Sequence, residues 1–196
     1  MMLTIVKYGH PALRQKGGRV EAITPEIRKL IDDMLESMHE AAGVGLAAQQ
    51  VGVPLQLAII DVRAAKERPS TLEINGQSAD VPEFMPLVLI NPVLNPFGSP
   101  ATGPEGCLSF PEMYAEITRP ESVEVSALDA TGEPFSFKAG GLLSRAIQHE
   151  VDHLNGILFI DRMSRKTKME LQEELDALQQ ATKAELQSPA KVGVKV

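Results

Sequence analysis

His149-Glu150-Val151-Asp152-His153 is the stretch on which the reading of this chain turns. Histidines at i and i+4 of an α-helix share one face, so two imidazoles can grip one metal ion. Glu150 stands beside the first of them and can reach a water on that ion. Leu143, Ile147, Val151 and Leu154 form a neighbouring apolar stripe. That stripe predicts a helix over about 142–155, its back buried, opened after Gly140-Gly141 and ended by Gly156. The competing reading is a solvated or core-capping histidine pair.

A helix of this kind offers two ligands, whereas a catalytic site takes three protein ligands and keeps one position open. No histidine follows His153; Asp161 is the nearest following acid, and Glu170 lies further on, in the polar tail helix. Upstream, the only soft ligand is Cys107, in Glu105-Gly106-Cys107-Leu108-Ser109. A lone cysteine is ordinarily core. Beside a histidine pair of this spacing it becomes a candidate third ligand, and Gly106 lets the backbone come close to a ligand or substrate. Gly43-Val44-Gly45-Leu46-Ala47-Ala48-Gln49-Gln50 fits a tight turn at a helix end followed by close packing. It fails as a phosphate loop, because no Lys-Ser/Thr follows and a helix rather than a strand precedes it. Its spacing alone assigns nothing to Gln50.

Around these stretches, residues 24–42 read as a helix. Thr24 caps it, Pro25 takes the first position, and Ile27, Leu30, Ile31, Met34, Leu35 and Met38 share a face. Residues 56–62 and 86–91 read as strands. The polar stretch 63–85, with Asn75-Gly76, reads as an excursion from the core that forms a small hairpin. Residues 122–138 read as a second hairpin, turning at 129–132. A single polar helix is expected over 164–187, with Leu171, Leu175, Leu178 and Leu186 on a thin stripe. Strands with helices inserted, rather than a regular βαβ alternation, make the fold class α+β. The expected organisation is one catalytic domain over 1–163, a C-terminal helix over 164–187 and a flexible tail over 188–196.

The chain has 196 residues, 43% hydrophobic and 23% charged, enough for one domain with a sizeable core. Its apolar runs are far shorter than the roughly 20 residues of a membrane span, and its N-terminus does not read as a secretory signal. A net charge of −7 argues against direct DNA binding, which needs a basic surface. One cysteine allows no internal disulfide, so a reducing cytoplasm is the expected home.

Taken together, GVGLAAQQ at 43–50, EGCLS at 105–109 and QHEVDH at 148–153 resemble, in that order, the three motifs of peptide deformylases. The resemblance spans about residues 4–163, including KYGHPALR at 7–14 and the GLL run at 141–143. It implies antiparallel strands packed around a central helix that carries the histidines. It also implies hydrolysis that frees the N-terminal formyl-methionine of new polypeptides from its formyl group. By motif match, Cys107, His149 and His153 would hold the metal, Glu150 would be general base and acid, and Gln50 with the backbone N–H of Leu108 would hold the oxyanion. Members use iron(II) in cells, and zinc, nickel or cobalt can take the same site. The peptide would bind as an added strand near Val44, Gly45 and Gly106, with Leu142 and Ala146 beside the methionine side chain.

Three positions depart from some members or carry a weaker signal. Arg145 stands where some members are apolar and Tyr114 where some have arginine. Arg119 and Asp152 are expected to pair beneath the site, and Gln148 to lie near the cleft or in solvent. Some relatives dock on the ribosome through a C-terminal extension, which makes transient ribosome association a candidate role for 164–187. The alternatives are a protease using the same histidine pair and a non-catalytic binder of peptides or ribosomes. The missing downstream ligand argues against the first, and the intact set of Gln50, Cys107, His149, Glu150 and His153 against the second.

Overall fold

Alternation on the shortest inner strand shows how the layers are made. In Leu57–Ile60, Ala58 and Ile60 turn to one side of the sheet and Leu57 and Ile59 to the other, and all four are buried. Helices cover both faces there, which is why the strand reads as a continuous apolar run. The structure, a computed structural model, describes residues 1–188. Its strands are β1 (Gly45–Ala47), β2 (Leu57–Ile60), β3 (Ser70–Ile74), β4 (Gln77–Ala79), β5 (Leu87–Cys107), β6 (Phe110–Leu128) and β7 (Pro134–Gly140). They form one seven-stranded sheet in the order β1-β2-β5-β6-β7-β3-β4, antiparallel throughout.

Helix α1 (Pro25–Glu40) starts as its sequence dictates, with the Thr24 hydroxyl accepting the Ile27 N–H at 3.4 Å. Ile31, Met34 and Met38 press onto Leu46, Leu57, Ile59 and Ile90. Helix α2 (Gly141–Leu154) fills the opposite face, packing Leu142, Leu143, Ala146, Ile147, Val151 and Leu154 against Ala58, Ile60, Leu89, Val123, Val125 and Phe137. From Leu142 to Leu154 every residue except Arg145 is buried. Six of those buried residues are polar, so their partners must come from within the protein.

Three expectations are corrected. The stretch 63–85 does form a hairpin, β3–β4, turned at Asn75 and Gly76 in left-handed conformation. It is not an excursion, however. β3 pairs with β7, Leu72 is buried in the core, and the start of α2 is held by this segment. The Leu142 N–H donates to the Pro69 carbonyl at 2.9 Å, and the Leu143 N–H to the Ser70 hydroxyl at 3.1 Å. The second correction concerns β5 and β6, of which only pieces were expected. Prolines 92, 96, 100 and 104 argue against a strand in a sheet's interior. β2 covers β5 only over Leu87–Ile90, so every one of those prolines lies where the far edge of β5 has no neighbour to receive an N–H. The third is the C-terminal helix, which is two: α3 (Arg165–Glu170) and α4 (Gln172–Gln187), meeting at Leu171.

Leu175 of α4 is buried beside Leu13, Phe110, Ile117 and Phe159, with Leu171 and Leu178 packed on that cluster, while Leu186 is exposed. The expected tail from 189 onward lies outside the described residues. No helix among the described residues is long and apolar enough to cross a membrane.

Candidate active site

The β5–β6 turn and the second half of α2 meet at the floor of a cleft of about 550 Å³. Val44, Gly45, Gln50, Gly106, Cys107, Leu108, Leu142, Ala146, His149 and Glu150 all line it. His153 lies beneath, buried, with its Nε2 3.3 Å from the Cys107 Sγ. One ligand atom from each of Cys107, His149 and His153 falls within 4.8 Å of the others, the only such group of three among the described residues. Asp161, weighed as a downstream ligand, is engaged elsewhere, accepting from Arg14 and from the Leu158 N–H.

These donors fit a divalent metal. A thiolate and two imidazoles are the set that binds zinc and other borderline ions, and three ligands leave one position open. Burial pushes the His153 imidazole down, toward the neutral form a ligand needs. Burial would lower His149 as well, but hydrogen bonds to Cys107 and Glu105 carry it up instead, so the surroundings of its ring favour positive charge.

Glu105 orients His149. Its carboxylate meets the ring Nδ1 at 2.9 Å, which leaves Nε2 for the cleft side. The same carboxylate receives Arg119 through two nitrogens, at 2.6 and 3.0 Å, and Arg145 at 2.8 Å. Against the cost of its burial, the hydrogen bonds with His149 and Arg119 hold the Glu105 carboxyl well below the usual carboxylate range. Arg119 also reaches Asp152 at 2.7 Å, so the expected pair does form beneath the site, and Arg162 grips Asp152 from the outside at 2.6 and 3.0 Å. Sequence reasoning gave Glu105 no role beyond its motif. Its place two residues before the cysteine was the available signal, since two residues along a strand is the same face.

Glu150 is 5% exposed, and its Oε2 has no hydrogen-bond partner. Burial pushes its carboxyl up to about 7, with His149 opposing and Glu105 adding to the rise. Gly45 makes room for it: a Cβ at that position would stand 2.8 Å from Cγ and Cδ of Glu150. Gly106 does the same for Tyr114, whose ring edge lies 2.7 Å from where a Cβ would be. Gln50 is fixed in orientation. Its Oε1 accepts the Ala47 N–H at 2.8 Å, so Nε2 must face Cys107 Sγ (3.5 Å) and the Ser109 hydroxyl (3.4 Å). Lys7 donates to the Leu108 carbonyl at 2.9 Å, a contact that nothing in the local sequence signals. Gln148 lies neither at the cleft nor in solvent: it is buried and donates to the Pro120 carbonyl at 2.9 Å.

The polypeptide deformylase family matches residues 2–169 of the chain. The protein belongs to this family. A peptide deformylase of Methylacidiphilum infernorum is 48% identical over 178 residues, 91% of this chain and 93% of that one. One from Opitutus terrae is 42% identical over 94% of this chain and 96% of its own. Among solved structures, the Synechococcus elongatus peptide deformylase in complex with actinonin is 42% identical with a TM-score of 0.75, covering 90% of this chain and 85% of that one. Arabidopsis thaliana peptide deformylase 1B in complex with an inhibitor is 36% identical with a TM-score of 0.80, covering 96% and 97%. As a peptide deformylase the protein is an enzyme that removes the N-terminal formyl group of nascent polypeptides, and its family binds one metal ion.

Proposed function

We propose that this deformylase hydrolyses the formyl group of N-formylmethionyl peptides at the Cys107–His149–His153 cluster, with Glu150 as general base and acid. The observation that carries the reading is the convergence of three soft donors at the floor of the cleft beside a buried carboxyl without a partner. Cys107, His149 and His153 would hold a divalent ion, which would supply a water of lowered pKa and a Lewis acid for the formyl oxygen. Glu150 takes a proton from the attacking water and returns it to the amine nitrogen as the formyl C–N bond breaks. With Oε1 tied to Ala47, the Gln50 amide offers its Nε2–H to the oxygen on which charge develops, and the Leu108 N–H is the second donor. Val44, Gly45 and Gly106 hold the peptide backbone as an added strand, which reads main chain more than sequence. Leu142 and Ala146 border the apolar pocket for the methionine side chain.

Iron(II) is the proposed metal in cells, with zinc, nickel or cobalt able to replace it, since this ligand set admits them all. Residues 1–163 are the catalytic unit, working in the cytoplasm. The exposed Arg165 and Lys166 and the half-buried Lys168 of α3 are where a transient ribosome contact would fall. The test is formate release from formyl-Met-Ala-Ser by protein purified without oxygen, with acetyl-Met-Ala-Ser alongside. Rapid formate from the first and no acetate from the second are expected. A folded, metal-loaded protein that releases no formate would overturn the proposal.

Gly45→Ala probes the same site from the other wall. The added methyl cannot coexist with the Glu150 side chain as placed, at 2.8 Å from two of its carbons. Turnover is expected to fall by about 100-fold, because a misplacement near 1 Å costs that much, while thermal unfolding stays close to wild type. Activity within twofold of wild type would mean that Glu150 works from another position.

A further inference from the structure

Arg145 lies one turn before His149 on α2, where the cleft adjoins a second cavity of about 530 Å³ bounded by Arg68, Thr71, Thr102, Pro120 and Glu121. A cation at that junction invites the reading that it greets the substrate. Its hydrogen bonds point elsewhere. One terminal nitrogen donates to Glu105 Oε1 and to the Ile117 carbonyl, both at 2.8 Å, and the other to the Ala101 carbonyl at 2.8 Å. Ala101 is on β5 and Ile117 on β6, so one guanidinium joins α2 to both strands of the long hairpin and to the carboxylate that orients His149. The side chain is 11% exposed. A planar fork with fixed donors suits several acceptors set at angles, and a lysine ammonium could not serve them all.

The other contacts of Glu105 divide the labour. Arg119 occupies both carboxylate oxygens and would hold the charge by itself. Arg119 makes no bond to the main chain of the hairpin, whereas Arg145 makes three, the third a longer one of 3.5 Å to the Gly103 carbonyl. The β5–β6 ladder carries Cys107 at its end, and its register shifts between Gly106 and Cys107. A clamp across the strands ahead of that irregularity holds Cys107 and Glu105 at a set distance from α2.

We propose that Arg145 is a positioning residue: it fastens the β5–β6 hairpin to α2 and, through Glu105, sets the ring of His149, without contacting the peptide. This rests on the reading of His149 as a metal ligand. The experiment compares wild type, Arg145→Met and Arg145→Lys by three measurements: zinc affinity by chelator competition, the ring Nδ1–H resonance of His149 in 15N-edited NMR of metal-free and zinc-loaded protein, and kcat and KM for formyl-Met-Ala-Ser. For Arg145→Met, zinc affinity and kcat are each expected to fall about tenfold, as for other partners of metal ligands. The Nδ1–H resonance should broaden by faster exchange with water, and KM should stay within twofold. Arg145→Lys should recover only part of each loss. A rise in KM of fivefold or more, with zinc affinity and the ring signal unchanged, would make Arg145 a substrate contact and overturn the proposal. So would a methionine variant equal to wild type in all three. Should Arg145→Met fail to fold, Arg145→Lys carries the test through smaller changes in the same directions. If wild type itself binds no zinc, the metal reading of the cluster fails, while the ring signal still decides whether Arg145 sets His149.

Discussion

Glu150→Ala is expected to give a folded, metal-loaded protein that releases formate at least about 1,000-fold more slowly than wild type, within the usual range for losing a general acid–base. The side chain is buried and makes no hydrogen bond through Oε2, so its removal strands no partner elsewhere in the core. Its carboxyl sits at about 7, pushed there by burial. A group poised near neutrality can accept a proton early in the reaction and return it later, and alanine can do neither. Metal content by elemental analysis should match wild type, because the proposed donors are Cys107, His149 and His153. Formate release at the wild-type rate would remove Glu150 from the chemistry. Loss of metal together with activity would make it a ligand instead.

Cys107→Ser is expected to weaken zinc binding by at least about 100-fold, more than the loss of a residue that only supports a ligand. The sulfur stands 3.3 Å from His153 Nε2 and 3.5 Å from Gln50 Nε2, a geometry suited to a large soft atom. A serine oxygen is smaller, lies closer to its own backbone and stays protonated at neutral pH, so it neither reaches as far nor brings the negative charge. Zinc titration of metal-free protein measures the effect directly, and unchanged affinity would take Cys107 out of the donor set. Turnover should partly return at high metal concentration, which separates lost affinity from lost chemistry.

How much of this could be read beforehand depended on how local each signal was. The spacing of His149 and His153, the apolar stripe beside them and the Thr24-Pro25 start of α1 are patterns within a few residues, and each element formed as expected. The three motifs named the family and gathered Gln50, Cys107, His149 and Glu150, though fewer than half of the residues that line the cleft. The role of Glu105 was hidden because it depends on Arg119 and Arg145, distant in sequence and meeting only in the fold. The long hairpin was hidden for a related reason: whether a proline is tolerated depends on whether a neighbour lies beyond it, and no window along the chain reports that. Likewise, the polarity of 63–85 spoke for solvent, while its pairing with β7 was decided by residues more than sixty positions away. The break at Leu171 follows from docking Leu175 beside Leu13 and Phe159, which a helical period alone does not foresee.

The two ends of the sheet have a consequence for the protein in solution. Its outermost strands, Gly45–Ala47 and Gln77–Ala79, are three residues each, and beyond Ile90 the far edge of the 21-residue β5 has no neighbouring strand. A long bare edge would recruit other chains and seed aggregates. A three-residue edge exposes few backbone groups, and prolines 92, 96, 100 and 104 remove N–H donors from the long one. Edge pairing between copies of the protein is thus opposed by shortness at the two ends of the sheet and by proline along β5.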